Sequence, residues 1–109
     1  MTVLPHPAGY AEVTAAGELD FSTHRVLLDA VADEIDHGRA RILLDMSRVT
    51  FCDSSGLGVL ARVFRRTTER RGWLRVAAPA PAVRRTMEIA NLDRMIPVYD
   101  TVADAARDL

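Results

Sequence analysis

Lysine is absent from this chain of 109 residues, and all 14 basic residues are arginine. Because alanine is also abundant, we interpret this bias as the codon usage of a GC-rich genome, which concerns the source and not the function. The arginines are balanced by 15 acidic residues, so the formal net charge is −1. A nearly neutral chain gives no argument for a nucleic acid or an anionic membrane as partner, and we expect neither.

Long apolar runs and cysteine pairs are lacking as well. No stretch approaches the roughly 20 apolar residues of a membrane span, and residues 1–9 have neither the basic start nor the apolar centre of a signal peptide. Cys52 is the only cysteine, which excludes an internal disulfide, and we interpret it as a small buried thiol in a reducing cytoplasm. His6, His24 and His37 do not have the spacing of metal ligands, so we expect no metal and no other cofactor.

The apolar residues that are present, 49% of the chain, exclude a disordered protein and suffice for one core in one domain, residues 1–109. Apolar periodicity predicts two strands followed by alternating helices and strands. The predicted strands are 2–4, 10–16, 40–46, 73–78 and 95–99, and the predicted helices begin after Ser22, at Leu57, at Pro81 and after Thr101. Helices that connect neighbouring strands imply parallel pairing. We therefore predict an α/β fold, a mixed sheet of about four or five strands with helices packed on one face.

Individual residues mark the boundaries of these elements. Gly17 should end the second strand, and Gly38 should end the first helix, for which Ser22 is the expected N-cap. Thr101 and Asp104 have the spacing of a capping box at the last helix. The uninterrupted apolar run at 42–44 predicts a strand that is buried on both faces.

Residues 51–58, with the sequence FCDSSGLG, carry the most information about function. An acid, two adjacent hydroxyls and two glycines follow an apolar strand and precede an amphipathic helix, predicted over 57–71. Free N–H groups and the helix dipole favour negative charge at such a helix start. A serine there could cap the helix, or it could carry a phosphate. The run has neither the lysine and glycine spacing of a P-loop nor the pattern of a nucleophile elbow.

Five arginines load the helix that follows this run. They are Arg62, Arg65, Arg66, Arg70 and Arg71. A charged face opposite an apolar one is the usual pattern of a surface helix. A dedicated binding stripe is the alternative, although the absence of interleaved aromatic residues argues against single-stranded nucleic acid.

Over residues 9–109 the chain resembles the STAS domain of bacterial anti-sigma factor antagonists. The resemblance is carried by the GELD sequence at 17–20, by the signature stretch 44–57, and by the segment 79–92, a helix opened by proline and closed by Asn-Leu. Jointly these features are specific, whereas Asp-Ser-Ser-Gly alone is not.

The resemblance implies a cytoplasmic regulator that is not an enzyme. Unphosphorylated proteins of this kind bind an anti-sigma factor that is also a serine kinase, and so free the sigma factor. Phosphorylation ends that binding, and a serine phosphatase restores it. The family's phosphoacceptor falls on Ser55. Asp20, Asp53, Ser54 and Gly56 fall on positions that bind the partner or support the loop.

Two other functions remain open from the residues. A STAS module that acts without phosphorylation, as a docking subunit of a transport or signalling complex, would share the fold but would not need a hydroxyl at Ser55. An enzyme would need a base near the serines, and His24 is the candidate if folding brings it close.

Overall fold

The computed structural model describes residues 1–109 and contains five strands, four α-helices and one short 3₁₀ turn. Their order along the chain is β1 (Thr2–Pro5), β2 (Ala11–Leu19), α1 (His24–Asp36), β3 (Arg41–Cys52), α2 (Ser54–Glu69), β4 (Trp73–Ala77), α3 (Pro81–Ile89), the 3₁₀ turn (Leu92–Arg94), β5 (Val98–Tyr99) and α4 (Val102–Ala105). The predicted alternation of helices and strands is therefore confirmed.

The strands form one mixed sheet in the order β1-β2-β3-β4-β5. β1 pairs antiparallel with β2, and each later pair of neighbours is parallel. The helices between parallel strands make the crossovers that this topology requires. All carboxyl ends of β2 to β5 consequently lie at the same edge of the sheet.

The sheet has two unequal faces, and β3 contributes to both. Ile42, Leu43 and Leu44 are completely buried, as the apolar run predicted. Ile42 and Leu44 belong to the main core beneath α1, α2 and α3, whereas Leu43 packs on the other side against Tyr10 and Ala105. The expectation of helices on one face holds for these three helices, but α4 lies on the opposite face. Its four residues are too few for their pattern to assign a face from sequence.

β2 and β3 are longer than the predictions of 10–16 and 40–46. The two strands stay paired up to Leu19 and Cys52, with register shifts that place additional residues of β3 opposite β2. Gly17 has a φ of +80° and lies within β2 beside one of these shifts, so it does not end the strand as predicted. Glycine within a strand commonly marks such a bulge, because other residues rarely adopt this conformation.

α1 ends where predicted but begins one residue later than the expected cap implies. Gly38 follows the helix with a φ of +83°, and its N–H donates to Ile35 O at 2.9 Å. At the start of the helix the N-cap position is Thr23 and not Ser22. Ser22 instead uses its hydroxyl and its N–H to bond with Asp20.

The last third of the chain follows the prediction with one correction. Pro81 begins α3, and the Thr101 side chain caps α4 by accepting from Asp104 N–H at 3.0 Å. The strand predicted at 95–99 is limited to Val98 and Tyr99. The preceding residues form the 3₁₀ turn and its exit, with Ile96 buried in the main core.

Candidate functional site

The carboxyl ends of β2 and β3 bring the two predicted acidic residues into one loop region. Leu19 pairs with Cys52, and the N–H of Asp53 donates to Leu19 O at 3.3 Å. Asp20 and Asp53 thus follow two strand ends that lie side by side. Chain segments 33 residues apart in sequence are joined here by the parallel pairing alone.

Asp53 is the N-cap of α2. Its Oδ1 atom accepts from Ser55 N–H at 2.9 Å and from Gly56 N–H at 3.0 Å, while its own backbone is extended. The helix begins at Ser54, three residues before the predicted start at Leu57. Neither serine caps the helix, because the acid already accepts from two of the free N–H groups of the first turn.

The two serine hydroxyls are not used by the fold. No hydrogen bond within the protein engages either of them, although the Ser55 backbone N–H is bound to the cap. Ser54 is exposed and Ser55 is half-buried. The structure therefore offers two hydroxyls at the first turn of α2 that are free to contact another molecule.

Gly56 lies at the closest approach between the helix and the strand ends. It is buried, and a Cβ atom at this position would collide with Leu19 O and lie 2.7 Å from Cys52 Sγ. Only a residue without a side chain lets α2 start this close to β2. Gly56 thereby holds Ser55 next to the segment that carries Asp20.

The Asp20 carboxylate is held in place by its own loop. Its Oδ1 accepts from Ser22 N–H at 2.9 Å and from the Ser22 hydroxyl at 2.7 Å, and lies 3.2 Å from Thr23 Oγ1. The hydrogen bond from the Ser22 hydroxyl is the main cause that lowers the pKa of Asp20 below its usual value. Asp20 is therefore ionised at neutral pH, and its charge is presented in a fixed position.

The neighbouring thiol and imidazole are placed for structural contacts. Burial, and secondarily the charge of Asp53, raises the pKa of Cys52 to about 11, which keeps the thiol protonated at neutral pH. The Nδ1 atom of His24 is 2.8 Å from the carbonyl oxygen of Phe21, to which it donates. His24 belongs to the first turn of α1, and this contact turns one ring nitrogen back towards its own loop.

Two aromatic residues that the sequence did not single out border this loop. Phe21 is 79% exposed and follows Asp20 directly, and Phe51 is 50% exposed and lies two residues before Asp53. Their proximity to the two acids is visible in the sequence. Their exposure is not, because a phenylalanine next to a buried strand end is usually expected to join the core.

The structure assembles no group of three or more His, Cys, Asp or Glu side chains that could hold a metal ion. None of its helices combines the length and the apolar character needed to span a bilayer.

Comparisons with known proteins agree on one family. The chain matches the STAS domain over residues 3–105. It is 30% identical to the anti-sigma-F factor antagonist RsfB of Mycobacterium tuberculosis over 96% of this chain and 84% of that protein. The solved structure of an anti-sigma factor antagonist from Mycobacterium paratuberculosis is 31% identical, with a TM-score of 0.87 and coverage of 98% of this chain and 90% of that one. The Bacillus cell fate determinant SpoIIAA in its phosphorylated form shares the fold, with a TM-score of 0.74 at 20% identity and coverage of 98% and 96%.

Proposed function

The chain belongs to the STAS-domain family of anti-sigma factor antagonists, and we propose that it is such an antagonist, switched by phosphorylation of Ser55. In its unphosphorylated form it binds a cytoplasmic anti-sigma factor that is also a serine kinase, and so frees a sigma factor. Transfer of a phosphoryl group to Ser55 ends the binding, and a serine phosphatase restores it. The protein itself catalyses no reaction in this cycle.

The free hydroxyl of Ser55 is the observation that carries the proposal. Ser55 is half-buried at the second position of α2, where its backbone N–H binds the carboxylate of Asp53 and its hydroxyl bonds to nothing within the protein. Because Asp53 caps the helix, the fold does not need the hydroxyl, which leaves it available for a partner. SpoIIAA, which has the same fold, has been solved in a phosphorylated form, so this fold accepts a phosphate.

Electrostatics explains how one phosphate could end the binding. A phosphoserine carries about −1.5 to −2 charges at pH 7. Here that charge would join the carboxylates of Asp20 and Asp53, so a partner surface built around a neutral hydroxyl would have to bury it among like charges. Burying a mispaired charge costs several kcal/mol. Since each 1.4 kcal/mol is a factor of ten in affinity, a loss of a hundredfold or more needs no change of fold.

The modification site can be tested with the two adjacent serines as matched controls. The protein is incubated with ATP and its serine-kinase anti-sigma factor, and the phosphate is located by peptide mass spectrometry. We expect one phosphate on Ser55, full modification of Ser54→Ala and none of Ser55→Ala. Phosphate on Ser54, or full modification of Ser55→Ala, would contradict the assignment.

Binding measurements test the charge switch separately from the location of the phosphate. In calorimetric titration, Ser55→Ala should bind the anti-sigma factor and resist inactivation by ATP, whereas Ser55→Glu should bind at least tenfold more weakly. If both Ser55→Glu and the authentic phosphoprotein bind as tightly as wild type, the charge switch is wrong. Recovery of a transporter subunit in place of a kinase would then favour the phosphorylation-independent docking module.

A further inference from the structure

Phe21 and Phe51 are exceptions among the few aromatic residues of this chain. It has only six. Tyr10 is buried, Phe64 packs against the main core, and Trp73 and Tyr99 lie against the side chain of Arg75. Phe21 is the most exposed large apolar side chain of the whole molecule, at 79%, and Phe51 is 50% exposed. Phenylalanine is enriched in the buried cores of protein–protein interfaces relative to the rest of a protein surface.

The two phenylalanines lie at the strand ends next to Ser54 and Ser55: Phe51 in the last part of β3 and Phe21 just after β2. Phe51 pairs with Glu18 at the end of β3, two residues before Asp53. The carbonyl oxygen of Leu19 accepts from Asp53 N–H. Because Phe21 is two residues beyond Leu19, the Cα atoms of Phe21 and Leu19 lie within about 7 Å of each other. Both residues therefore lie at the carboxyl edge of the sheet, where α2 begins with Ser54 and Ser55.

The loop that carries Phe21 is held in a defined conformation. The Asp20 carboxylate binds Ser22, the Phe21 carbonyl oxygen accepts from His24 Nδ1 at 2.8 Å, and the Phe21 ring lies 5.9 Å from the His24 ring. Phe51 is likewise fixed by strand pairing. Rings presented on an ordered backbone lose less conformational freedom when a partner covers them, which favours binding.

Resting on the function proposed above, we propose that Phe21 and Phe51 are the apolar anchors by which the anti-sigma factor grips this protein on either side of Ser55. The partner supplies an apolar pocket for each ring. Its basic groups are already paired with the acids, so none is left to pair a phosphate on Ser55. In this arrangement the aromatic rings provide affinity and Ser55 provides the switch. Phosphorylation changes the charge between the anchors and leaves the anchors themselves unaltered.

The charge around Phe21 and Phe51 indicates that they bind a different protein and not a second copy of this chain. Three acids lie next to the two phenylalanines along the backbone: Glu18 pairs with Phe51, Asp20 precedes Phe21, and Asp53 follows Phe51 by two residues. In a two-fold symmetric dimer the same patch forms both sides of the interface, so one acidic surface would face another. Like charges facing each other disfavour that pairing. A partner with basic groups around apolar pockets fits the surface.

The experiment compares Phe21→Ala and Phe51→Ala with Leu4→Ala. Leu4 is a matched control because it is 57% exposed but pairs with Glu12, seven strand positions or about 23 Å from the Leu19 end of β2. The probe is the purified serine-kinase anti-sigma factor of the source organism that retains wild-type protein. We expect a tenfold to hundredfold weaker Kd for each Phe variant, and a change within twofold for Leu4→Ala.

Thermal melts and a more conservative variant distinguish a loss of binding from a loss of the fold. Phe51→Leu keeps an apolar side chain at the strand end, and we expect it to bind with intermediate affinity while melting like wild type. If both Phe→Ala variants bind with wild-type affinity, Phe21 and Phe51 are not binding anchors, whereas the proposed switch at Ser55 is unaffected. If no serine-kinase anti-sigma factor of the source organism retains the wild-type protein, both proposals fail. If sedimentation velocity shows that the wild-type protein is a dimer and that Phe21→Ala is a monomer, a second copy covers the rings and the proposal of a different protein as partner is wrong.

Discussion

Gly56 and Gly58 are two residues apart in the same helix but differ in the space available for a side chain. A Cβ atom at Gly56 would meet Leu19 O and Cys52 Sγ, whereas nothing lies within 4 Å of one at Gly58. Both have ordinary helical backbone, so their difference lies in packing and not in conformational freedom. The requirement for glycine at position 56 comes from the strand end against which α2 is placed.

Alanine substitutions should therefore have opposite effects at these two positions. We expect Gly56→Ala to lower the free energy of unfolding by about 1–3 kcal/mol, because the added methyl group overpacks the junction. Gly58→Ala should raise it by up to about 1 kcal/mol, since alanine is the better helix former. Urea denaturation of both variants measures the two signs. Equal effects of the two substitutions would mean that α2 can shift away from β2.

A substitution can distinguish whether Asp20 contributes to partner binding or only stabilises the turn that contains it. Asp20→Asn keeps an oxygen that can accept from Ser22 but removes the charge, so the loop should persist. We expect binding to the anti-sigma factor or the rate of phosphorylation to fall at least severalfold, with little change in Tm. Asp29→Asn, which removes an exposed acid of α1, is the control. A large loss of stability with unchanged affinity would show that Asp20 is only a turn residue.

At the scale of elements, the short helix α4 is attached to its face of the sheet by one arginine. Arg75 of β4 donates to Ala105 O at 2.7 Å and to both carboxylate oxygens of Asp108, at 2.6 and 3.2 Å. Its guanidinium also lies 4.4 Å from the centre of the Trp73 ring. Four helical residues would not be stable alone, so this contact and the packing of Ala105 keep α4 in place.

The attachment of α4 should depend on pH. The hydrogen bond from Arg75 lowers the pKa of Asp108 below its ordinary 3.8. A carboxyl with a lowered folded-state pKa stabilises the fold above its ordinary pKa, and this contribution is lost as pH falls through the folded-state value. We expect Asp108→Asn to lower Tm at pH 7 and to match wild type well below pH 3.8. Asp93→Asn, at another exposed acid, should show no such convergence, and a pH-independent Tm difference for Asp108→Asn would argue against the ion pair.

The register of β2 and β3 explains why these two strands are longer than the alternation of their apolar residues predicts. Buried side chains of β3 recur at Ile42, Leu44 and Met46, and then at Val49 and Cys52. The spacing changes from two to three because the register with β2 shifts twice. A strict alternation rule ends the strand at Met46, since it has no means of anticipating a bulge.

For the molecule as a whole, the proposed switch requires a fold that does not respond to the modification. Ser55, the proposed phosphoacceptor, lies at the edge of the sheet, outside the main core of 22 buried residues. Asp53 already caps α2, so an added negative charge gains from the helix dipole and loses from the nearby acid. These opposing effects are of similar size, which leaves little net change in stability.

We therefore expect Ser55→Glu to remain folded while it loses its partner. Its free energy of unfolding should stay within about 1 kcal/mol of wild type, and its circular dichroism spectrum should be unchanged. Chemical denaturation and far-ultraviolet spectra provide the measurements. A variant that binds weakly because it has unfolded would place the switch in the stability of the domain and not at its surface.

Local patterns in the sequence were sufficient to determine the α/β class, the helix ends at Gly38 and Pro81, and the placement of two serines at the start of a helix. Each depends on neighbouring residues, whose periodicity and backbone preferences act over one or two turns. Only the tertiary structure decided that Asp53 and not a serine caps α2, that Leu19 approaches Gly56, and that Phe21 and Phe51 stay in water. These features arise where β2 and β3 end side by side, and a contact between segments over 30 residues apart depends on strand register, which a single local pattern does not encode.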